Sequence, residues 1–118
     1  MNDGSHVFVF GSNLHGRHGA GAAKEAFNSW QAIEGKSSGR QGMSYAIPTK
    51  DLNMYTLPIK EICLWVNHFR SYVQNHPKLT FLITKIGCGL AGYEESEIKP
   101  LFKNFPNNCI LPKGWRYD

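Results

Sequence analysis

A chain of 118 residues with 42% hydrophobic and 19% charged residues fits one globular domain and excludes general disorder. The formal charge of +4 suits phosphate-bearing ligands, but the basic residues are scattered, with no block of about five or more, so nucleic acid is not an expected partner. No apolar run approaches the ~20 residues of a membrane span, and Met1 to His6 lack a signal-peptide pattern, so a cytoplasmic protein with no membrane contact is expected.

Val7-Phe8-Val9-Phe10 is a short, wholly apolar run closed by Gly11, which predicts a buried strand. Gly11 to Gly21 is too glycine-rich for a regular element and predicts a loop. Ala20 to Ile33 carries Ala22, Ala23, Ala26, Phe27 and Trp30 in a helical pattern, ended by Gly35 and Gly39. Ser44 to Ile47 predicts a strand stopped by Pro48. From Pro58 to about Asn75, Ile62, Trp65, Val66, Phe69, Tyr72 and Val73 share one helical face. Leu79 to Ile86 predicts a strand, and Gly87 to Gly92 a second glycine loop. Glu94 to Asn104 looks helical, kinked or cut short by Pro100. Cys109 to Leu111 predicts a last strand. Strand and helix alternate, which predicts an α/β fold with a largely parallel sheet and helices on both faces. Both glycine loops then lie at strand carboxyl ends and ahead of helices, where anions bind.

Three segments carry chemistry. The first is Gly11-Ser12-Asn13-Leu14-His15-Gly16-Arg17-His18-Gly19-Ala20-Gly21-Ala22-Ala23. Gly16, Gly19 and Gly21 let backbone approach a ligand and present amides as a nest. A strand–helix turn with no ligand is the plain alternative. Lys24 is misplaced for a Walker A loop and stands where G-x-G-x-x-G needs its third glycine. His15 and His18 have H-x-x-H spacing, but no third ligand is evident, so no metal is expected. Solvated histidine, or one donating to phosphate, is the better reading. Arg17 reads as a surface or phosphate-facing charge.

The second segment is Ile47-Pro48-Thr49-Lys50-Asp51. Lys50 could neutralise phosphate or polarise a sugar hydroxyl. Equally, Asp51 could pair with it. The third is Ile86-Gly87-Cys88-Gly89-Leu90-Ala91-Gly92-Tyr93. Three glycines in this run again suggest close backbone approach. Cys88 invites a thiolate-nucleophile reading, but no partner base is identifiable. With Cys63 and Cys109 it makes an odd, widely spaced set that reads as reduced, mostly buried thiols, and the absence of C-x-x-C argues against a zinc-ribbon or thioredoxin-type site.

In this order, GSNLHGRHGAGAA, IPTK and KIGCGLAGY resemble segments of the macro domain, most closely its terminal ADP-ribose protein glycohydrolase-type branch. The resemblance runs from about Val7 to Leu111. It implies a three-layer α/β/α fold with a mostly parallel sheet, no cofactor, and binding of ADP-ribose or an ADP-ribosylated small molecule or protein. By position it puts Asn13 near the distal ribose and Gly19, Gly21 and Ala22 around that ribose and the diphosphate. Gly87 to Gly92 would be the second diphosphate loop. Lys50 matches the lysine that attacks ribose, and is the candidate catalytic residue. With their neighbours Gly11, Ser12, His18, Thr49, Ile86, Cys88, Gly89, Leu90, Ala91 and Tyr93, these form the expected ligand set. Two departures stand out. Ala91 replaces the acid that follows G-C-G-L in that branch, for which Asp51 or Glu94 could substitute. The aspartate that reads adenine in many macro domains has no clear counterpart, Asp3 being poorly placed. The leading expectation is an ADP-ribose binder. The alternatives are an ADP-ribosyl hydrolase or ADP-ribose phosphate phosphatase, and a protein or RNA interaction module.

Overall fold

The computed structural model describes residues 4–116, so Asp3 lies outside the described residues. The chain forms β1 (His6–Asn13), α1 (Gly21–Ser29), β2 (Gly39–Gln41), β3 (Ser44–Lys50), α2 (Ile59–Gln74), β4 (Thr80–Ile83), α3 (Glu95–Ile98), a 3-10 turn (Lys99–Phe102) and β5 (Cys109–Ile110). The sheet order is β2-β3-β1-β4-β5. β1 pairs in parallel with both β3 and β4, and β4 pairs in parallel with β5. Only the short β2 runs antiparallel, against β3.

The alternation along the strands builds two cores. Val7 and Val9 of β1 point to one face with Tyr45, Ile47, Phe81 and Ile83. There they meet Ile62, Val66, Phe69 and Val73 of α2, all wholly buried. Burying a side chain of this size is worth about 1.5–3 kcal/mol. Ile98 and Phe102 close the same face. Phe8 and Phe10 point the other way, onto Ala23 and Ala26 of α1. Trp30 stacks on Phe8 with ring centroids 5.3 Å apart. Helices thus lie on both faces of a mostly parallel sheet.

Several elements differ from expectation. β1 does not stop at Gly11. It continues to Asn13 because Gly11 and Ser12 stay in register with Ile47 and Pro48 of β3. Glycine content predicted a loop there, and strand pairing overrides it. β3 likewise runs through Pro48 to Lys50. Pro48 lies beyond the stretch paired with β2, which ends at Ala46, so it breaks no ladder on that side. A register shift at Ser12/Asn13 makes Thr49 the extra residue of a bulge.

α1 ends at Ser29 rather than near Ile33. Gln31 adopts a left-handed φ of 66°, turning the chain toward β2. Gly42 lets it pass, since a Cβ there would sit 2.3 Å from the Gln31 Cβ. β2 itself was not expected. β4 is shorter than predicted because Thr84 folds onto β1, its hydroxyl donating to the Val9 carbonyl at 2.7 Å. Pro100 limits α3 to four residues and passes the chain into the 3-10 turn.

Cys109 is buried on β5, and burial pushes its thiol up to about 12, outweighing the opposing pull of Arg116 and Arg70. The folded protein therefore holds a proton that the unfolded chain loses above its ordinary value of 9.0. Stability should be complete below pH 9 and fall as pH rises toward 12. Relative to Cys109→Ala, the wild type should lose up to about 1.4 kcal/mol per pH unit in that window. Urea denaturation of both proteins at several alkaline pH values measures the difference, and parallel pH profiles would contradict it.

Candidate ligand-binding cleft

The chain leaves β1 for β3 on one side, then crosses back to β4 and continues outward to β5. Connections from the adjacent strands β1 and β4 therefore diverge in opposite directions. The loops they lead into part at the carboxyl edge of the sheet and leave a crevice, the usual position of a ligand in such sheets. A cleft of about 660 Å³ lies there. Small-molecule sites typically measure about 300–1,000 Å³. The cleft brings together Gly11, Ser12 and Asn13 of β1, Gly19, Gly21 and Ala22 at the start of α1, Thr49 and Lys50 of β3, and Gly87 to Ala91.

The first loop is held open by its own side chains. Asn13 Oδ1 accepts the Arg17 N–H at 3.1 Å, while its Nδ2 donates to the Arg17 carbonyl at 3.0 Å. Gly16, at φ +73°, packs so closely on Gly35 that a Cβ would lie 2.4 Å from the Gly35 carbonyl carbon. Glu34 accepts the His18 N–H at 3.0 Å. A Cβ on Gly19 or Gly89 would meet nothing, because both face open cleft space. Gly21 has a φ of +58°, so a side chain there is strained even though space is free.

The segment after this loop becomes the first turn of α1. Its N-terminus has no side-chain cap and no acidic residue. The early N–H groups of a helix lack intrahelical partners, and they carry the positive end of its dipole. Gly21, Ala22 and Ala23 line the cleft.

His18 is placed differently from expectation. Its ring is 3% exposed, packs edge-on against Phe10 and puts Nε2 3.1 Å from Gln41 Oε1. Gln41 Nε2 donates to the Lys36 carbonyl and its Oε1 also accepts the Ile33 N–H, so His18 Nε2 is the donor. His18 is therefore a strut beneath the loop and does not line the cleft. His15 is exposed, so the H-x-x-H pair does not converge. Among the described residues no three His, Cys, Asp or Glu side chains gather into a metal site.

At the end of β3, Thr49 donates to the Ser12 carbonyl at 3.1 Å. Asp51 does not pair with Lys50. Its Oδ1 accepts the N–H groups of Asn53 and Tyr55, closing the 51–55 turn. Lys50 thus brings its charge to the cleft with no carboxylate from the neighbouring residue to offset it.

The second loop is tied down at both ends. Tyr93 N–H donates to the Gly87 carbonyl, and its hydroxyl donates to the Leu57 carbonyl at 2.6 Å. Thr56 donates to the Ala91 carbonyl at 2.7 Å, joining this loop to the end of β3. Ile86 is buried in the core, and Ile86, Gly92 and Tyr93 shape the loop without lining the cleft. Burial pushes the Cys88 thiol up, Glu95 adds to the rise, and Lys85 opposes it. Cys88 is the reverse of an activated thiolate. Its thiol donates weakly to the Ile86 carbonyl.

Arg17, Lys50 and Lys85 are the charged residues among those lining the cleft, and no carboxylate is among them. Lys85 pairs with Glu95 at 3.0 Å. The Trp115 indole N–H at 2.8 Å, together with Lys85, holds the Glu95 carboxyl below its usual range. Asp51 and Glu94, expected as substitutes for the acid of the resembling branch, are not among the residues lining the cleft. Asp51 closes its own turn, and Glu94 forms a reciprocal capping box with Glu97. Thr84, Lys85 and Met54 also line the cleft and were not anticipated. The signal was present. Thr84-Lys85 after β4 repeats Thr49-Lys50 at the end of β3.

Among the described residues no helix is long and apolar enough to cross a membrane. Comparison with known protein families, curated proteins and solved structures finds no match to this chain.

Gly16→Ala should cost at least about 2 kcal/mol, from left-handed strain and a clash with fixed backbone. Gly19→Ala should leave stability unchanged or raise it by up to about 1 kcal/mol. Urea midpoints of the two variants test whether the loop is rigid at Gly16 and open at Gly19.

Proposed function

We propose that the cleft binds ADP-ribose or a related ADP-ribose-derived nucleotide, on a fold of the macro-domain kind. One observation carries the reading. The uncapped start of α1 faces the same cleft as the second glycine loop, with Arg17, Lys50 and Lys85 around it and no carboxylate among the lining residues. Such a surface offers donors and positive charge, which a diphosphate satisfies. The segments that resemble macro domains are the ones that form it. An interaction module without a small ligand has no comparable support, since nothing else calls for two open glycine loops on one cleft.

The same surface favours capture over hydrolysis. A lysine-adduct route needs an acid near the ribose, and the resemblance puts Ala91, which lines the cleft, at that position. General acid–base help is worth about 10²–10⁴-fold, so turnover of glutamate-linked ADP-ribose should be feeble at most. Lys50 then acts as an electrostatic clamp. Borohydride trapping of a ribose adduct on Lys50 would overturn this assignment.

Calorimetry supplies the direct test. At ~0.3 kcal/mol per heavy atom, a ligand of about 36 such atoms has a ceiling near ~11 kcal/mol, and micromolar binding of ADP-ribose is expected. AMP, which lacks the second phosphate and ribose, should bind more weakly. Lys50→Gln should weaken ADP-ribose by roughly ten- to a hundredfold through loss of a charged hydrogen bond. Gly19→Val should abolish binding while preserving the fold, since its side chain fills cleft space. Equal affinity for AMP and ADP-ribose would contradict the reading.

A further inference from the structure

Lys85 reaches the cleft held at both ends. Thr84 before it donates its N–H and its hydroxyl to the Val9 carbonyl, at 3.1 and 2.7 Å, which ties the end of β4 to β1. The Lys85 ammonium lies 3.0 Å from Glu95 Oε2. The other oxygen, Glu95 Oε1, accepts the Trp115 indole N–H at 2.8 Å. Trp115 is buried in the main core, packed against Phe102. Glu94 and Glu97 cap the start of α3, where Glu95 stands. An exposed ion pair usually contributes little, because two long side chains must be ordered to make it. Here one partner is already ordered by a buried ring.

Glu95 does not line the cleft, yet its charge is felt there. At Cys88, a lining residue, burial is the largest cause of the raised thiol and Glu95 the next, ahead of the opposing Lys85. Among the described residues, Lys85 is the lining cation that is paired with a carboxylate, while Arg17 and Lys50 form no ion pair. A diphosphate esterified at both ends carries one negative charge on each phosphate. A nucleotide that ends in a free phosphate carries about one more above pH 7, since that phosphate loses its second proton near pH ~6.

We propose that Glu95 is a specificity-determining residue of the cleft. Acting through Lys85, it lowers the positive charge that a ligand meets, and so favours a diphosphate esterified at both ends over a nucleotide with a free terminal phosphate. The inference rests on the proposed binding of ADP-ribose and names the residue that sets its charge selectivity.

The test titrates the full chain with ADP-ribose and with ADP by calorimetry at a pH of about 7.5. Glu95→Gln keeps an oxygen for the Trp115 indole and removes the charge. It should strengthen binding by about threefold for each ligand charge, the effect of a unit charge about 7 Å away in a water-like medium. ADP therefore gains about threefold more than ADP-ribose. Both gains should shrink as salt rises from ~0.05 to ~0.5 M, which a packing effect would not do. Lys85→Gln leaves Glu95 unpaired and should weaken ADP more than ADP-ribose. The double variant should lie within about threefold of the wild type for both ligands, since the pair is removed as a unit. Unchanged or weaker ADP binding by Glu95→Gln, or equal gains for the two ligands, would overturn the inference, while ADP-ribose binding by the wild type would leave the reading of the cleft intact. Absence of ADP-ribose binding by the wild type and every variant would remove that reading and this inference with it.

Discussion

β1 is paired in parallel on both sides, and the rest of the molecule follows from that constraint. Parallel neighbours cannot be joined by tight hairpins, so each connection must cross a face of the sheet. α1 takes one face and α2 the other, and the two faces of β1 supply alternate side chains to each core. The same parallel pairing brings the carboxyl ends of β1, β3 and β4 to one edge of the sheet. Segments far apart in sequence converge there because strand direction leaves them nowhere else to go.

Convergence alone would not make a binding surface. The loops at that edge are stiffened from behind. Gln41 of the edge strand β2 binds His18, Ile33 and Lys36 together, and Glu34 holds the His18 amide. Thr56 and Tyr93 secure the second loop against the segment that follows β3. Internal polar groups are used for rigidity, which leaves backbone amides and cations facing the cleft. A surface arranged in advance loses less conformational entropy when an anion arrives.

The cations are not equivalent. Lys85 shares Glu95 with Trp115, so its charge is partly offset and its position is tied to the C-terminal segment. Lys50 has no such partner in Asp51, whose carboxylate closes a separate turn. Burial pushes the Cys88 thiol on the second loop up, away from thiolate character, so the loop contributes shape rather than a nucleophile.

The periodicity of α2, the apolar start of β1 and the two glycine loops were legible in the sequence, because each is a local pattern with a local cause. Ile62, Val66, Phe69 and Val73 share a helical face whatever they pack against. Glycine and small residues from Gly19 to Ala23 permit close approach whatever approaches. Position in space was not legible. His18 reads as a loop histidine beside phosphate, yet Phe10 and Gln41 draw it under the loop. Asp51 reads as a partner for Lys50, yet the amides of Asn53 and Tyr55 are nearer claims on it. Gly11 and Pro48 read as breaks, yet each lies in a strand because the other side of the ladder is present. Local propensity determined the elements and the candidate segments. Strand pairing and hydrogen-bond competition across long sequence separations decided where strands end, which side chains face the cleft and which groups remain unengaged, since those outcomes depend on partners that no local window contains.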